Sequence, residues 1–147
     1  GGAGGVGGDQ LAVIARDPDR VTGAHAAPWT DAHLRAAFAS ADLVVDCTPA
    51  GLGDGEAAFV DALPLDALRP AAWVASLIYH RRTILLERAS ARDHSIVDGR
   101  AMLVHQGARA FTIWTGQPAP IDAMTRALDA ALDAALDPSG DPSRRGT

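Results

Sequence analysis

The chain is predicted to be an α/β protein with a parallel sheet, on three observations. Short continuous apolar runs recur at Leu11 to Ala15 (LAVIA), within Asp42 to Asp46 (DLVVD) and at Trp73 to Ile78 (WVASLI). Strands covered on both faces of a parallel sheet read this way. Stretches with helical spacing lie between and after these runs. Gly and Pro gather in the connections, at Gly51, Gly53 and Gly55 and at Pro64 and Pro70, where turns are needed.

The elements follow in order. Gly1 to Gly8 (GGAGGVGG) has two readings, a connector before a strand or a phosphate-contacting loop. The connector is favoured, because a phosphate loop needs an apolar strand before it and a helix of about ten or more residues after it. Arg16-Asp17-Pro18-Asp19-Arg20 at the carboxyl end of LAVIA reads, from its residues, as a solvated turn. Thr30 is suited to cap a helix over Asp31 to Ala39, with Leu34, Ala37 and Phe38 inward and Trp29 packed near its start. Beyond DLVVD, Cys47, Thr48 and Pro49 lead into a glycine-containing loop. Ligands of doubly wound sheets bind past the carboxyl ends of strands, so Thr48 is a candidate polar contact; an ordinary surface loop is the alternative. Cys47 reads as a small core residue rather than a nucleophile, since no base lies near it in sequence.

A short helical stretch spans Leu65 to Leu68, and Tyr79 ends the Trp73 to Ile78 run. Thr83 then caps a helix through Ala91, with Leu85, Leu86 and Ala89 inward. The stretch Ile96 to Gly116 (IVDGRAMLVHQGARAFTIWTG) reads as a short strand, an Asp98 cap and one helix. Leu103, Gly107, Ala110, Phe111 and Trp114 recur as a buried face. Gly99, Met102 and Gln106 fall on another side, within roughly 60° of one another. A glycine, an adaptable thioether and an amide suit a surface that a flat ring approaches. From Ile121 the chain is amphipathic, with Leu128, Leu132 and Leu136 on its apolar face and Asp129, Asp133 and Asp137 opposite. A domain over residues 1–137 and a disordered Pro-, Gly-, Ser- and Arg-rich tail over 138–147 are expected.

Composition narrows the function. The 147 residues carry a net charge of −5, and all thirteen Lys or Arg positions are Arg. A nucleic-acid surface would want a basic stripe, and no Lys is present to act as a base or form a Schiff base. Cys47 is the single cysteine, and the five histidines show no ligand spacing, so no metal site is expected. Nothing is long and apolar enough to span a bilayer, and a cytoplasmic location is the expectation.

Three motifs, in order, resemble the shikimate dehydrogenase family. DGRAMLVHQGARAFTIWTG resembles that family's C-terminal DGLxMLxxQGxxxFxxWTG; DLVVDCTPAGL (Asp42 to Leu52) is similar to its DLVVNATPxGM; SLIYHRRTILLERA (Ser76 to Ala89) is similar to its DxxYxPxxTxLLxxA. The likeness covers roughly Leu11 to Leu136, and three ordered motifs are far more specific than one. It implies a Rossmann-like doubly wound sheet, truncated at its N-terminal strand–helix unit. It also implies NADP-dependent, reversible reduction of 3-dehydroshikimate to shikimate, or a quinate-type relative of that reaction, in the pathway to chorismate and the aromatic amino acids.

Residue by residue, the resemblance puts Arg16 and Arg20 on the adenosine 2′-phosphate, where the family has NRTxxR. It puts Thr48, Leu77, Gly99 and Met102 on the nicotinamide side, and Tyr79 and Gln106 on substrate. Departures stand at Ala15 (family Asn), Asp17 (Thr), Ser76 (Asp) and in His80-Arg81-Arg82 (Pro). The family's Ser pair, Lys and Asp belong to a preceding substrate domain, so no catalytic acid or base is assigned here. The chain alone is expected to be inactive and to need that domain as partner. A homodimer through the terminal helix, or a non-catalytic remnant that binds a nucleotide or a partner, is the alternative.

Overall fold

In the computed structural model, which describes residues 11–136, the order is β1 (Ala12–Ala15), β2 (His25–Pro28), α1 (Asp31–Ser40), β3 (Leu43–Asp46), α2 (Glu56–Asp61), β4 (Trp73–Ser76), α3 (Ile84–Ser90), β5 (Ser95–Val97), α4 (Gly99–Thr115) and α5 (Ile121–Leu136). The Gly1 to Gly8 segment and the 138–147 tail lie outside the described residues. The expected caps form. Thr30 Oγ1 accepts from the His33 N–H, Thr83 Oγ1 from Leu86 and Asp98 Oδ1 from Arg100. Each satisfies a first-turn donor that has no partner inside its helix. Gly116, at φ 69°, ends α4 in the left-handed conformation that glycine adopts without steric cost.

All pairings are parallel, but they form two separate sheets. β1 pairs with β2 (Ala12 opposite His25), while β3, β4 and β5 form a second sheet with Val44, Val74 and Ile96 in register. No ladder joins β1 to β3. The two sheets nevertheless share one core. Leu34 and Phe38 of α1, Val60 of α2, and Leu85, Leu86 and Ala89 of α3 pack on Val74, with Val44, Ile96 and Ile14 of β1 against them.

Three features differ from the sequence expectation. The apolar runs of β3 and β4 are covered on one face only. Val74 is fully buried, whereas Trp73, one residue away, is 48% exposed, and Leu43, Val45 and Val97 are exposed with it. Successive strand residues point to opposite faces, and the helices α1, α2 and α3 all pack on the Val44–Val74–Ile96 side. Second, Trp114, expected in the buried face of α4, is 83% exposed. The α4–α5 hairpin instead buries Val104 and Ala108 of α4 and Leu132 of α5. Gly107 lies so close to α5 that an added Cβ would sit 3.2 Å from Met124 Cε. Helical periodicity identifies an apolar stripe but not how far along it the neighbouring helix reaches. Third, Cys47, expected in the core, is exposed, because it follows the last residue of β3 where the chain turns away from the sheet. β2 and α2 were not anticipated: HAAP has little strand propensity of its own, and six residues are too few to show a helical period.

Candidate functional site

The carboxyl ends of β3 and β4 lie level, because Asp46 and Ser76 are register partners. Each then turns the chain with its own side chain. Asp46 Oδ1 accepts from the Thr48 N–H at 2.9 Å, and Ser76 Oγ accepts from the Ile78 N–H at 3.4 Å. Thr48 continues the pattern, its Oγ1 accepting from the Ala50 N–H at 3.3 Å. These short polar side chains substitute for ladder partners where the strands stop. Ser76, which replaces an Asp of the resembled pattern, is thus buried in a turn.

The start of α4 is clamped onto the same region. The Gly99 N–H donates to the Ile78 carbonyl at 3.1 Å, and Arg100 Nε donates to the Tyr79 carbonyl at 3.3 Å. A Cβ at Gly99 would overlap the Leu77 carbonyl carbon and oxygen. Gly99 was expected to let a ligand come close; its missing side chain instead admits the end of β4. The consequence is still a cluster. Leu77, Tyr79 and Met102 stand around this contact with their side chains exposed. Gln106 lies two turns beyond Gly99 on the same side of α4, roughly 10 Å along the axis, and is exposed. Among the described residues, neither the Tyr79 hydroxyl nor the Gln106 amide has a hydrogen-bond partner.

Arg16 and Arg20 follow β1, which pairs in the other sheet. Arg16 comes directly after the strand, and Arg20 closes the tight turn Pro18–Arg20. Both are exposed, and among the described residues neither forms an ion pair, with Asp17 or any other carboxylate. No hydrogen bond links them to Thr48, Leu77 or Gly99. Two exposed, always-charged forks past a strand end form a donor set that suits a phosphate.

An ion pair with a buried carboxylate and a partly exposed arginine ties the two loops together, and sequence reasoning missed it. Glu56, 3% exposed, accepts from Arg81 Nη2 at 2.6 Å and from the Ile84 N–H at 2.6 Å. The same Arg81 nitrogen donates to the Gly51 carbonyl at 2.5 Å. The partners are 25 residues apart and carry no periodic signal; Arg81, in the segment where the resembled pattern has Pro, was the only hint. Nearby, Cys47 is exposed, yet partial burial and then the Asp46 charge push its thiol above its ordinary pKa, which favours the less nucleophilic form. Two open grooves flank Arg100. One, of about 300 Å³, lies between α4 and α5, and one of about 440 Å³ runs beside β5 with Arg82, Leu86 and Val97 in its walls. Neither is lined by Tyr79 or Leu77. Among the described residues no three His, Cys, Asp or Glu side chains converge as a metal site would require.

The profile of the "Shikimate 5'-dehydrogenase C-terminal domain" matches residues 99–128, the span of α4 and most of α5. A shikimate dehydrogenase (NADP(+)) of Desulforamulus reducens is 39% identical over 108 residues, 73% of this chain and 37% of that protein. Its counterpart in Thermosynechococcus vestitus is 39% identical over 130 residues, 82% of this chain and 45% of that protein. Among solved structures, the shikimate 5-dehydrogenase of Thermus thermophilus in complex with shikimate superposes with a TM-score of 0.65 at 28% identity, covering 84% of this chain and 46% of that one. The quinate dehydrogenase of Corynebacterium glutamicum in complex with NAD gives a TM-score of 0.67 at 26% identity, covering 88% and 53%. The chain spans less than half the length of the two curated relatives described.

Proposed function

From the likeness of this chain, in sequence and in fold, to the C-terminal part of shikimate dehydrogenases, we propose that it supplies the NADP-binding part of such an enzyme. The observation that carries the reading is the convergence of Leu77, Tyr79, Gly99 and Met102 past the carboxyl edge of the sheet, where open α/β sheets take their ligands. In the whole protein, NADP, when bound, exchanges a hydride with a carbon of a cyclic hydroxy acid such as shikimate or quinate. Arg16 and Arg20 hold the 2′-phosphate through charge-assisted forks. Thr48 lines the nicotinamide side; its oxygen accepts from the Ala50 N–H, and its hydroxyl proton, which has no acceptor among the described residues, is left to donate. Leu77 and Met102 give the ring an apolar wall, with Gly99 holding the start of α4 against it. Tyr79 and Gln106, both without partners among the described residues, fix the substrate's hydroxyl or carboxylate groups. These groups position the substrate, and positioning alone can contribute a large share of a barrier. Proton transfer falls to a preceding substrate domain, and the protein is read as cytoplasmic.

Titration calorimetry of the 147-residue chain with NADP+ and NAD+ tests this. NADP+ is expected to bind more tightly, and Arg16→Ala to remove most of that preference; charge-assisted contacts contribute about 1.5–3 kcal/mol each. Equal affinities in the unaltered chain would defeat the NADP assignment. A second reading, a non-catalytic module that binds a partner protein, is favoured by the uncovered apolar face of β3, β4 and β5. Absence of binding to either dinucleotide would support it.

A further inference from the structure

We infer that Glu56 and Arg81 form a positioning clasp that locks the loop after β3 and the loop after β4 into one wall of the candidate site. Three strands of observation meet in it. The Glu56 carboxylate is buried at the first residue of α2 and takes both Arg81 Nη2 and the Ile84 N–H at 2.6 Å. Arg81 carries the connection on, donating from the same nitrogen to the Gly51 carbonyl at 2.5 Å. One residue pair therefore holds the Ala50–Leu52 turn, the start of α2, the segment after Tyr79 and the entrance to α3.

Packing seals the junction. Gly51 is buried, and a Cβ there would run into Ile78 Cδ1 and come within 3.3 Å of Thr83 Cγ2. The two loops thus touch through Gly51, Ile78 and Thr83, with the ion pair as the polar bond across the seam. Thr48 lies three residues before Gly51, and Tyr79 lies two residues before Arg81. Neither loop has regular structure to set its path beyond the short turn Ala50–Leu52. A low-dielectric carboxylate with two charge-assisted or backbone donors is far more directional than a solvated pair. The clasp is built differently from the other cross-element pairs. Its arginine is partly exposed like theirs, but its carboxylate is buried. Arg69 with Asp42, Arg35 with Asp66 and Arg88 with Asp61 each use a carboxylate that is largely solvent-exposed, where salt and water screen the attraction.

Arg81 falls in the segment where the resembled pattern has a proline. A proline stiffens a loop by fixing its own φ; here an ion pair to a distant buried carboxylate does the stiffening. The clasp has no reacting atom within reach, and its role is to hold Thr48 and Tyr79 at a set separation. That role rests, for its ligand, on the proposed dinucleotide site.

The test compares the unaltered chain with Glu56→Gln, Arg81→Lys and, as a control at an exposed pair, Arg69→Gln. Hydrogen exchange reads the loops, and calorimetry reads NADP+ and adenosine 2′,5′-bisphosphate, which carries the phosphate end without the nicotinamide. Glu56→Gln is expected to speed exchange at Leu52 and Ile84 together, and to weaken NADP+ by about tenfold with the bisphosphate unchanged, the size of one displaced contact. Arg81→Lys, which keeps the charge but not the fork, is expected to fall between, and Arg69→Gln to change neither. Loops that open independently, or not at all, would overturn the clasp. Equal weakening of both ligands with loss of protection throughout the core would overturn the positioning role, leaving ordinary structural support. If the unaltered chain binds neither ligand, the proposed function fails; joint opening of the two loops then still upholds the clasp, and separate opening rejects it.

Discussion

Gly99 shows how much one missing side chain can decide. Its Cβ would meet backbone atoms of Leu77 and Ile78, which cannot rotate away as a side chain can. Overpacking of this kind costs about 1–3 kcal/mol, so Gly99→Ala is expected to lower stability by roughly that amount. It should also displace Leu77 to Tyr79, visible as amide shift changes at those residues; a neutral substitution would mean that α4 is not clamped there. Cys47 makes an opposite case, a reactive residue type held quiet by its surroundings. With its pKa raised, first by burial and then by Asp46, less thiolate is present at neutral pH and more appears as pH climbs past the free-thiol value. Alkylation by iodoacetamide near pH ~7.5 should be slower than that of free cysteine and should rise with pH. A rate at or above the free thiol would contradict the assigned environment.

At the scale of elements, the α4–α5 hairpin separates two kinds of apolar residue. Val104 and Ala108 are buried against α5, while Trp114, nearer the turn, is exposed. Val104→Ala should cost about 1–2 kcal/mol by opening a void between the helices. Trp114→Ala should stay within about 0.5 kcal/mol, as surface substitutions do. Urea unfolding of the two variants checks the ordering, and a larger loss for Trp114 would show that the hairpin end is covered in solution. The strands carry the same lesson. HAAP becomes β2 because Ala12 to Ala15 offers it a ladder, and nothing within those four residues announces it.

For the molecule as a whole, the parallel sheet has helices on one face and solvent on the other. Leu43, Val45, Trp73 and Val97 line that open face, and β1 and β3 each pair along one edge only. Uncovered parallel strands are rare, and open edges and apolar patches both recruit partners. The purified chain is therefore expected to self-associate in sedimentation experiments. Val45→Lys should disperse it with the fold retained, whereas Val74→Lys, one strand over on the covered face, should prevent folding by burying an unpaired charge. A monomeric unaltered chain would show that this face needs no cover.

The helix starts, the apolar strands β1, β3 and β4 and the family likeness were all legible in the chain before it folded. Each of these rests on residues a few positions apart: Thr30, Thr83 and Asp98 with the N–H groups they cap, the runs at Leu43 and Trp73, and the DGRAMLVHQG segment. Legible in the same way was the set of candidate residues past the strand ends, although their mutual geometry was not. Tertiary structure alone decided which face of β3 and β4 is covered, because a continuous apolar run is the same read from either side and only the crossover helices choose between them. It alone decided that Glu56 meets Arg81, that Gly99 receives Leu77 and that Trp114 stands in water. Those contacts join residues far apart in sequence or depend on where a neighbouring helix ends, and no local period encodes either distance.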